Sequence, residues 1–466
     1  MTAVVINTKL RLTSKEKTPS VWLEGQKLAK GGIETGQVLY AHFDKSSRRV
    51  VASKSGDADL NDVKAFTVSR RRRNGKEHPL IELRAEELAS LFEGVEVLRV
   101  AIQNGKITIR AHSQQAKVKS RLDRLFEKVL EGKKLDVGSI FHGGGVLDRA
   151  LHNGFAMSGL QSAIKVAVEI EGKYLDSSLA NNPMLWDKDS IAIESPLESV
   201  ELASAPLLDC VFAGIPCVGA SLSGRAKGKL SCAEEHSSAG ALFVYFLNFV
   251  LATQPAIVVF ENVPPYQKTA SYMVIESVLL TAGYDIHSTV LNGNTFGALE
   301  NRDRLVCVAT TKGLDFDFDR IEPVRVKEKT LSEILDYYPQ DSDKWKTYSY
   351  LAEKEQRDMA NGKGFKRQLL DGTNDSCGTI GRGYNKARST EPFVISPFGD
   401  GMSRLFSPLE HARVKGIPED LINGVSDTTA HEILGQSVIY PAFQAVGNCI
   451  ATQVREAVSM QHVAAA

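Results

Sequence analysis

The sequence predicts a doubly wound α/β domain built on a parallel sheet, preceded by a smaller β-rich (α+β) domain. Three observations carry this. From residue 134 to about 312, apolar runs alternate with helical stretches, the rhythm of βαβ units. Candidate strands are Leu135 to Ser139, Lys165 to Glu169, Leu208 to Ala213, Ala256 to Glu261 and Leu305 to Ala309. Their carboxyl ends carry glycines, acids or a thiol, where such folds present ligands. Residues 1 to about 130, in contrast, are short, alternating and strand-rich, and they repeat: Pro19 to Ala29 recurs as Pro79 to Ala89. A Gly follows each copy (Gly36, Gly94), then alternating strands, which reads as two strand–helix–hairpin units.

With 466 residues and 56 basic against 56 acidic side chains, the chain has no global basic excess. Nucleic-acid binding must then come from local patches. One is Arg70 to Lys76, read as a basic turn that is either a solvated loop or a phosphate-contacting arm. No apolar run approaches the roughly 20 residues of a membrane span, and the start lacks a signal-peptide pattern. A cytoplasmic location and no membrane partner are expected. The six cysteines (210, 217, 232, 307, 377, 449) form no CxxC pair, so neither a metal site nor a disulfide framework is expected.

Residues 313 to 400 break the βα rhythm with polar, loop-rich sequence holding Trp345, Tyr337, Tyr338, Tyr348, Tyr350 and several basic residues. Helical patterning returns over Leu409 to Val414 and Phe443 to Val458.

The chemistry gathers at strand ends. Cys217 follows Pro216 at the end of the apolar run 207–213, where an α/β enzyme would hold a nucleophile; a small core cysteine is the plain alternative. Glu261 ends the next run and can serve as a proton donor in the same pocket. Phe141-His142-Gly143-Gly144-Gly145 is a glycine turn between strand and helix, and Glu169 stands at the following strand's end. Taken by themselves, the turn and the acid also fit a nicotinamide dinucleotide site.

The series FHGGG, VEIE, KDS, GIPC, ENV, ENRDR, a variable segment, RLFSPLEHARVKGIPED and GQSVIYP closely resembles the DNA (cytosine-5) methyltransferases of prokaryotic or phage type, over about 135 to 455. The resemblance implies a Rossmann-like S-adenosylmethionine-dependent domain at 134–312 and 401–458, a target-recognition lobe at 313–400 and an extra N-terminal repeat domain at 1–130 that can add DNA contacts. It implies Cys217 as the attacker at C6 of a flipped-out cytosine, Glu261 as the acid at N3, and Arg304, with Arg302 beside it, at the cytosine O2. For S-adenosylmethionine it implies Phe141, Gly143 and Gly145 at the methionine and ribose end, Glu169 on the ribose, Ile170 and Leu242 on the adenine faces, and Asp189 at the adenine amine. Ser221, Arg225 and Lys227 fall in a loop fitting a lid over the nucleotide, while Thr379 and Arg382 form a turn closing the recognition region. Double-stranded DNA is the implied partner, a cognate restriction endonuclease a candidate one, and a monomer the expected state. The same chemistry on tRNA, or a DNA-binding regulator with little catalysis, are the rival readings. The sequence departs from the family at Ser139, Val218, Glu300 and Gln436.

Overall fold

Two units make up the chain, Met1–Ser120 and Arg121–Ala466. The structure is a computed structural model that describes residues 2–13, 16–54, 63–73, 75–216, 240–362 and 365–465.

In the first unit, residues of alternating polarity form β1 (Val4–Thr13), β2 (Glu16–Glu24), helix α1 (Gln26–Lys30), β3 (Val38–Asp44), β4 (Arg49–Ser53), β5 (Val63–Thr67), β6 (Ser69–Arg73), β7 (Lys76–Arg84), helix α2 (Glu87–Leu91), β8 (Val97–Gln103) and β9 (Lys106–Ala111). They make one nine-stranded sheet in the order β5-β3-β4-β9-β8-β1-β2-β7-β6. The period of two sends Leu39, Ala41, Val50, Ala52, Leu98, Val100, Ile107 and Ile109 to one buried face. The two similar stretches pair with each other antiparallel, Leu23 opposite Ile81. They also exchange equivalent bonds: the Gly25 N–H donates to the Pro79 carbonyl at 3.0 Å and the Ala85 N–H to the Pro19 carbonyl at 3.2 Å. The basic run is a turn only in part: the chain reverses at Gly75, while Arg70 to Arg73 belong to edge strand β6, paired on one side with β7. Arg70 pairs with Glu77, and Arg71 pairs with Glu24 while lying over the Trp22 ring.

Helix α3 (Ser113–Leu130) crosses the boundary at residue 120, and the second unit continues with β10 (Leu135–Ile140), α4 (Val146–Met157), β11 (Ser162–Glu169), α5 (Gly172–Asn181), β12 (Trp186–Glu194), β13 (Cys210–Gly214), α6 (Leu242–Thr253), β14 (Ile257–Asn262), α7 (Ala270–Thr281), β15 (Tyr284–Asn292) and β16 (Asp303–Thr311). The sheet order is β12-β11-β10-β13-β14-β16-β15. Strands β10 to β14 run parallel, but β16 is antiparallel to both neighbours, so the sheet is mixed rather than wholly parallel. A short β15–β16 connection, with no crossover helix, imposes that reversal. Apolar layers cover both faces, one including Val137, Leu151, Phe155 and Phe212, the other Val211, Phe246, Phe260 and Ile275.

The chain then forms α8 (Ser349–Ala360), a small sheet of β17 (Gln368–Leu370), β18 (Pro392–Ile395) and β19 (Ser403–Arg404), then α9 (Pro408–Val414), α10 (Asp427–Gln436) and α11 (Tyr440–Ala465). Tyr384 and Phe393 are buried here, and Tyr384 joins Leu331, Ile380, Val394 and Phe406 in a separate small core. Several aromatics of the segment are therefore structural. Helix α11 returns to pack on α4 through paired glycines: a Cβ on Gly154 would lie 2.2 Å from the Gln444 carbonyl and one on Gly447 2.6 Å from that of Leu151. No side chain larger than hydrogen fits at either place. Among the described residues no helix is long and apolar enough to cross a membrane.

Candidate active site

Strand order reverses between β10 and β13, and the pocket lies beyond the carboxyl ends of these strands. One wall is the loop after β10. Phe141, Gly143 and Gly145 all take left-handed backbone (φ 56°, 59° and 76°). Glycine adopts this freely, whereas at Phe141 it costs energy that the surroundings must supply. His142 does much of that work from a buried position. Its Nδ1 lies 2.8 Å from Ser139 Oγ and 3.0 Å from Asp148, and its Nε2 lies 2.7 Å from Ser178 Oγ. Ser139, where the family has an acid, thus orients the loop histidine. Asp136 is no substitute for that acid: it sits at the start of β10, bonded to Lys128 at 2.7 Å.

Glu169 closes this wall. Its carboxylate accepts the Gly143 N–H at 2.6 Å and the Glu171 N–H at 3.0 Å, so the ends of β10 and β11 are tied together. Ile170, next along, is 63% exposed and offers an apolar surface. Gln436 reaches the loop from α10, its Nε2 lying 3.8 Å from where a Gly143 Cβ would be. Leu242 opens α6, half-buried.

Asp189 is not brought to this wall. β12 pairs with β11 so that Glu194 stands opposite Glu169, leaving Asp189 exposed and five positions back along the strand. The ladder is irregular there, with Trp186 opposite Ile164 and Ile191 opposite Val166, so Asp189 lies in a bulge short of the paired strand end. The strand end holds Glu194, whose carboxylate lies 2.6 Å from a Cβ built on Gly172 at the start of α5. Sequence reasoning chose the acid of the KDS motif because the length of β12 was not apparent.

The opposite wall is charged. Register puts Glu261 beside Gly214, at the ends of β14 and β13. The next residue, Asn262, donates to the Ile215 carbonyl at 3.2 Å and so fixes the chain just before Pro216 and Cys217. Arg304 Nε pairs with Glu261 at 2.7 Å. Burial raises the Glu261 carboxyl above its ordinary range, and Arg304, Arg302 and Lys415 pull it partway back. Arg302 is not at the surface: it is buried and donates to the carbonyls of Ile380 at 2.9 Å and Gly435 at 3.2 Å, holding the small lobe's closing turn against α10. Behind it lies a residue pair that sequence reasoning passed over. Glu300 and Lys415 are both fully buried with Nζ 3.0 Å from the carboxylate, which also accepts from Arg302 and from the Ile380 N–H. Burial lowers Lys415 to about 7. The signals available were weak: Glu300 as a departure from the family, and a lysine at the end of the helix, in Arg413-Val414-Lys415-Gly416, with nothing in sequence to link the two.

The two walls meet at Gly214, where a Cβ would lie 3.9 Å from the Phe141 carbonyl and 4.0 Å from Glu261. Cys217, Ser221, Arg225 and Lys227 lie outside the described residues. Thr379 bonds the Asn301 carbonyl at 3.3 Å, beside the arginine motif. Arg382 stands by the wall of Glu169 instead, 3.6 Å from Glu171 and over the Tyr174 ring.

A glycine-lined loop and a buried acid at the switch point of such a sheet are the marks of a doubly wound α/β domain that binds a ligand there. Comparisons take this further. The family model described as C-5 cytosine-specific DNA methylase matches residues 136–461. The Type II methyltransferase M.NlaX of Neisseria lactamica is 30% identical over 271 residues, 56% of this chain and 81% of that protein. A DNA-cytosine methyltransferase of Escherichia coli K12 is 26% identical over 320 residues, 59% and 67% of the two chains. Among solved structures, the Dnmt2 methyltransferase of S. pombe has a TM-score of 0.53 at 17% identity, covering 69% of this chain and 99% of that one, a likeness of fold.

The chain belongs to the C-5 cytosine-specific DNA methylase family. It is a DNA (cytosine-5-)-methyltransferase, and its family uses S-adenosylmethionine as methyl donor.

Proposed function

We propose that Cys217 is the nucleophile and that the wall of Glu261 and Arg304 receives the flipped cytosine. The observation that carries this is the pairing of β13 with β14, which sets Glu261 beside Gly214, three residues before the thiol. The thiols among the described residues lend support: Cys210, Cys307, Cys377 and Cys449 are buried and burial pushes each upward, Cys307 to about 12, which disfavours the nucleophilic thiolate.

In this reading the Cys217 sulfur bonds to C6 while Glu261 donates a proton at N3, so negative charge entering the ring is quenched. Arg304 holds Glu261 and presents its guanidinium to the base O2. The methyl donor, when bound, supplies an electrophilic methyl group for C5. The residues present fit it: left-handed glycines bring backbone close, Glu169 is already oriented by two N–H donors, and Ile170 is exposed for an adenine face. A base then takes the C5 proton, the C6–sulfur bond breaks, and the thiolate leaves.

Residues 134–312 with 401–458 are read as the catalytic domain, 313–400 as the target-recognition lobe, with Thr379 at its closing turn, and 1–130 as a tandem-repeat domain. Duplex DNA carrying 5-fluorocytosine tests the mechanism, because fluorine at C5 cannot leave as a proton. A denaturation-resistant adduct dependent on Cys217 is expected; an adduct that survives Cys217→Ser overturns the assignment, and an adduct with tRNA alone moves the substrate to RNA.

A further inference from the structure

We propose that the exposed face of the N-terminal sheet binds the phosphate backbone of duplex DNA through a row of arginines, Arg49, Arg110 and Arg99, on the adjacent strands β4, β9 and β8. The choice of partner rests on the DNA substrate stated above. Register places Arg49 directly opposite Arg110, and Arg110 directly opposite Arg99. All three stand on the face away from the core, since their strand neighbours Val50, Ile109, Leu98 and Val100 are buried. At about 4.8 Å between strands, three like charges fall within roughly 10 Å.

Such an arrangement works against folding, because like charges directly opposite on a sheet destabilise it. It is also scarcely neutralised. Arg49 has Asp44 at 3.2 Å, but Arg99 and Arg110 are exposed with no ion-pair or hydrogen-bond partner among the described residues. Across β1 the row ends in the neutral Asn7, opposite Arg99, while the adjacent row on the same face adds Lys9, opposite Val97, and Arg11 lies 4.9 Å over the Trp22 ring.

A second observation is independent of the register. Residues 1–120 hold 22 Lys and Arg against 13 Asp and Glu, a net charge of +9, so the zero net charge of the whole chain hides a compensating −9 in the remainder. That asymmetry is the electrostatic footprint of a polyanion-binding unit.

The surface beside the arginines selects among polyanions. Val51, Thr108, Ala101 and Val5 form the next cross-strand row, low and without aromatic rings; of the aromatics flanking it, Tyr40 stands two strands from Thr108 and the Trp22 ring is covered by Arg11 and Arg71. Single-stranded nucleic acid is normally held by aromatic platforms on which bases stack. A smooth row flanked by guanidinium groups fits the outside of a duplex, contacted through phosphates and without reading sequence.

The test uses the full chain and a poly(dA)·poly(dT) duplex, which holds no cytosine, so binding is separated from methyl acceptance and can be read even if the catalytic assignment fails. Arg99→Glu with Arg110→Glu is expected to weaken binding about ten-fold at low salt and to flatten the slope of log K against log salt by about 2, one contact per arginine. Arg110→Gln alone is expected to raise Tm by about 2 °C, by relieving repulsion, while weakening the same binding. Unchanged affinity and slope in a variant that melts normally would overturn the proposal, as would equal loss of binding to poly(dT) single strands.

Discussion

The two walls of the pocket are built on opposite principles. The wall proposed for the cofactor is made mostly of backbone: left-handed residues at Phe141, Gly143 and Gly145, a histidine held by Ser139, Ser178 and Asp148, and the Glu169 carboxylate already satisfied by N–H groups. The base wall is made of buried charge, Glu261, Glu300, Arg302, Arg304 and Lys415, contributed by segments far apart in sequence. Backbone dipoles fixed by a turn need no neutralising partner, so that wall tolerates changes at its edges. Buried charges depend on one another, and loss of one exposes the rest. The contrast predicts graded effects that separate chemistry, stability and binding.

The largest effect is expected from Cys217→Ser, which should cut methyl transfer by about 10⁴-fold or more, since no other group supplies the bond to C6. Equilibrium binding of S-adenosylmethionine should stay within a few-fold of the parent protein, because the cofactor wall is independent of the thiol. Glu261→Gln comes next, with kcat reduced about 10²- to 10⁴-fold, the range of a positioned acid. Its pH behaviour has a definite sign. Burial raises the Glu261 pKa, so the donating, protonated form persists to higher pH and is lost as pH rises through that raised value. An alkaline fall in kcat/KM should follow and should be absent from the glutamine variant. A profile that keeps its alkaline limb in Glu261→Gln would assign that limb to another group.

The Glu300–Lys415 pair should matter for stability more than chemistry. Removing one partner, as in Lys415→Met, leaves the other buried and uncompensated, a cost of about 3–5 kcal/mol in chemical denaturation. Changing both, Glu300→Gln with Lys415→Met, should recover most of that loss, a coupling that a double-mutant cycle including Glu300→Gln alone measures directly. The pH dependence follows from the folded-state value of about 7 against an ordinary 10.5 for lysine. Between these values the unfolded chain carries a proton that the folded one lacks, so stability gains with rising pH across that window. Lys415→Met should lose this gain.

These walls also differed in how far the sequence revealed them. Phe141 to Gly145 is a contiguous turn, and Glu169 is the last residue of an apolar run, so both were readable from local pattern. Glu261 was readable for the same reason; Cys217 has an equally local motif, GIPC, but lies outside the described residues. Lys415 was not, because its meaning depends on Glu300, more than a hundred residues away, and on being buried. The antiparallel β16 escaped notice because strand direction is set by how the chain returns, not by composition. The arginine row was invisible for a related reason: Arg49, Arg99 and Arg110 become neighbours only through the pairing of β4, β9 and β8. The nearby run Arg70 to Arg73 drew attention as a contiguous motif, yet two of its members are engaged by Glu24 and Glu77.

The smallest predicted effect tests the cofactor wall at the point where sequence and register disagree. A carboxylate that serves the cofactor's adenine must stand at a strand end beside Glu169 and Ile170. Asp189 is five positions short of that end and exposed, whereas Glu194 pairs directly with Glu169 and lies against the start of α5. Asp189→Asn should therefore leave the S-adenosylmethionine Kd within about two-fold, as expected for an exposed group far from the ligand. Glu194→Gln should weaken it about ten-fold, the worth of one hydrogen bond to a charged acceptor. Titration calorimetry on the two variants distinguishes them. A loss confined to Asp189→Asn would mean that β12 shifts register when the cofactor binds, because only such a slip could carry that carboxylate to the wall.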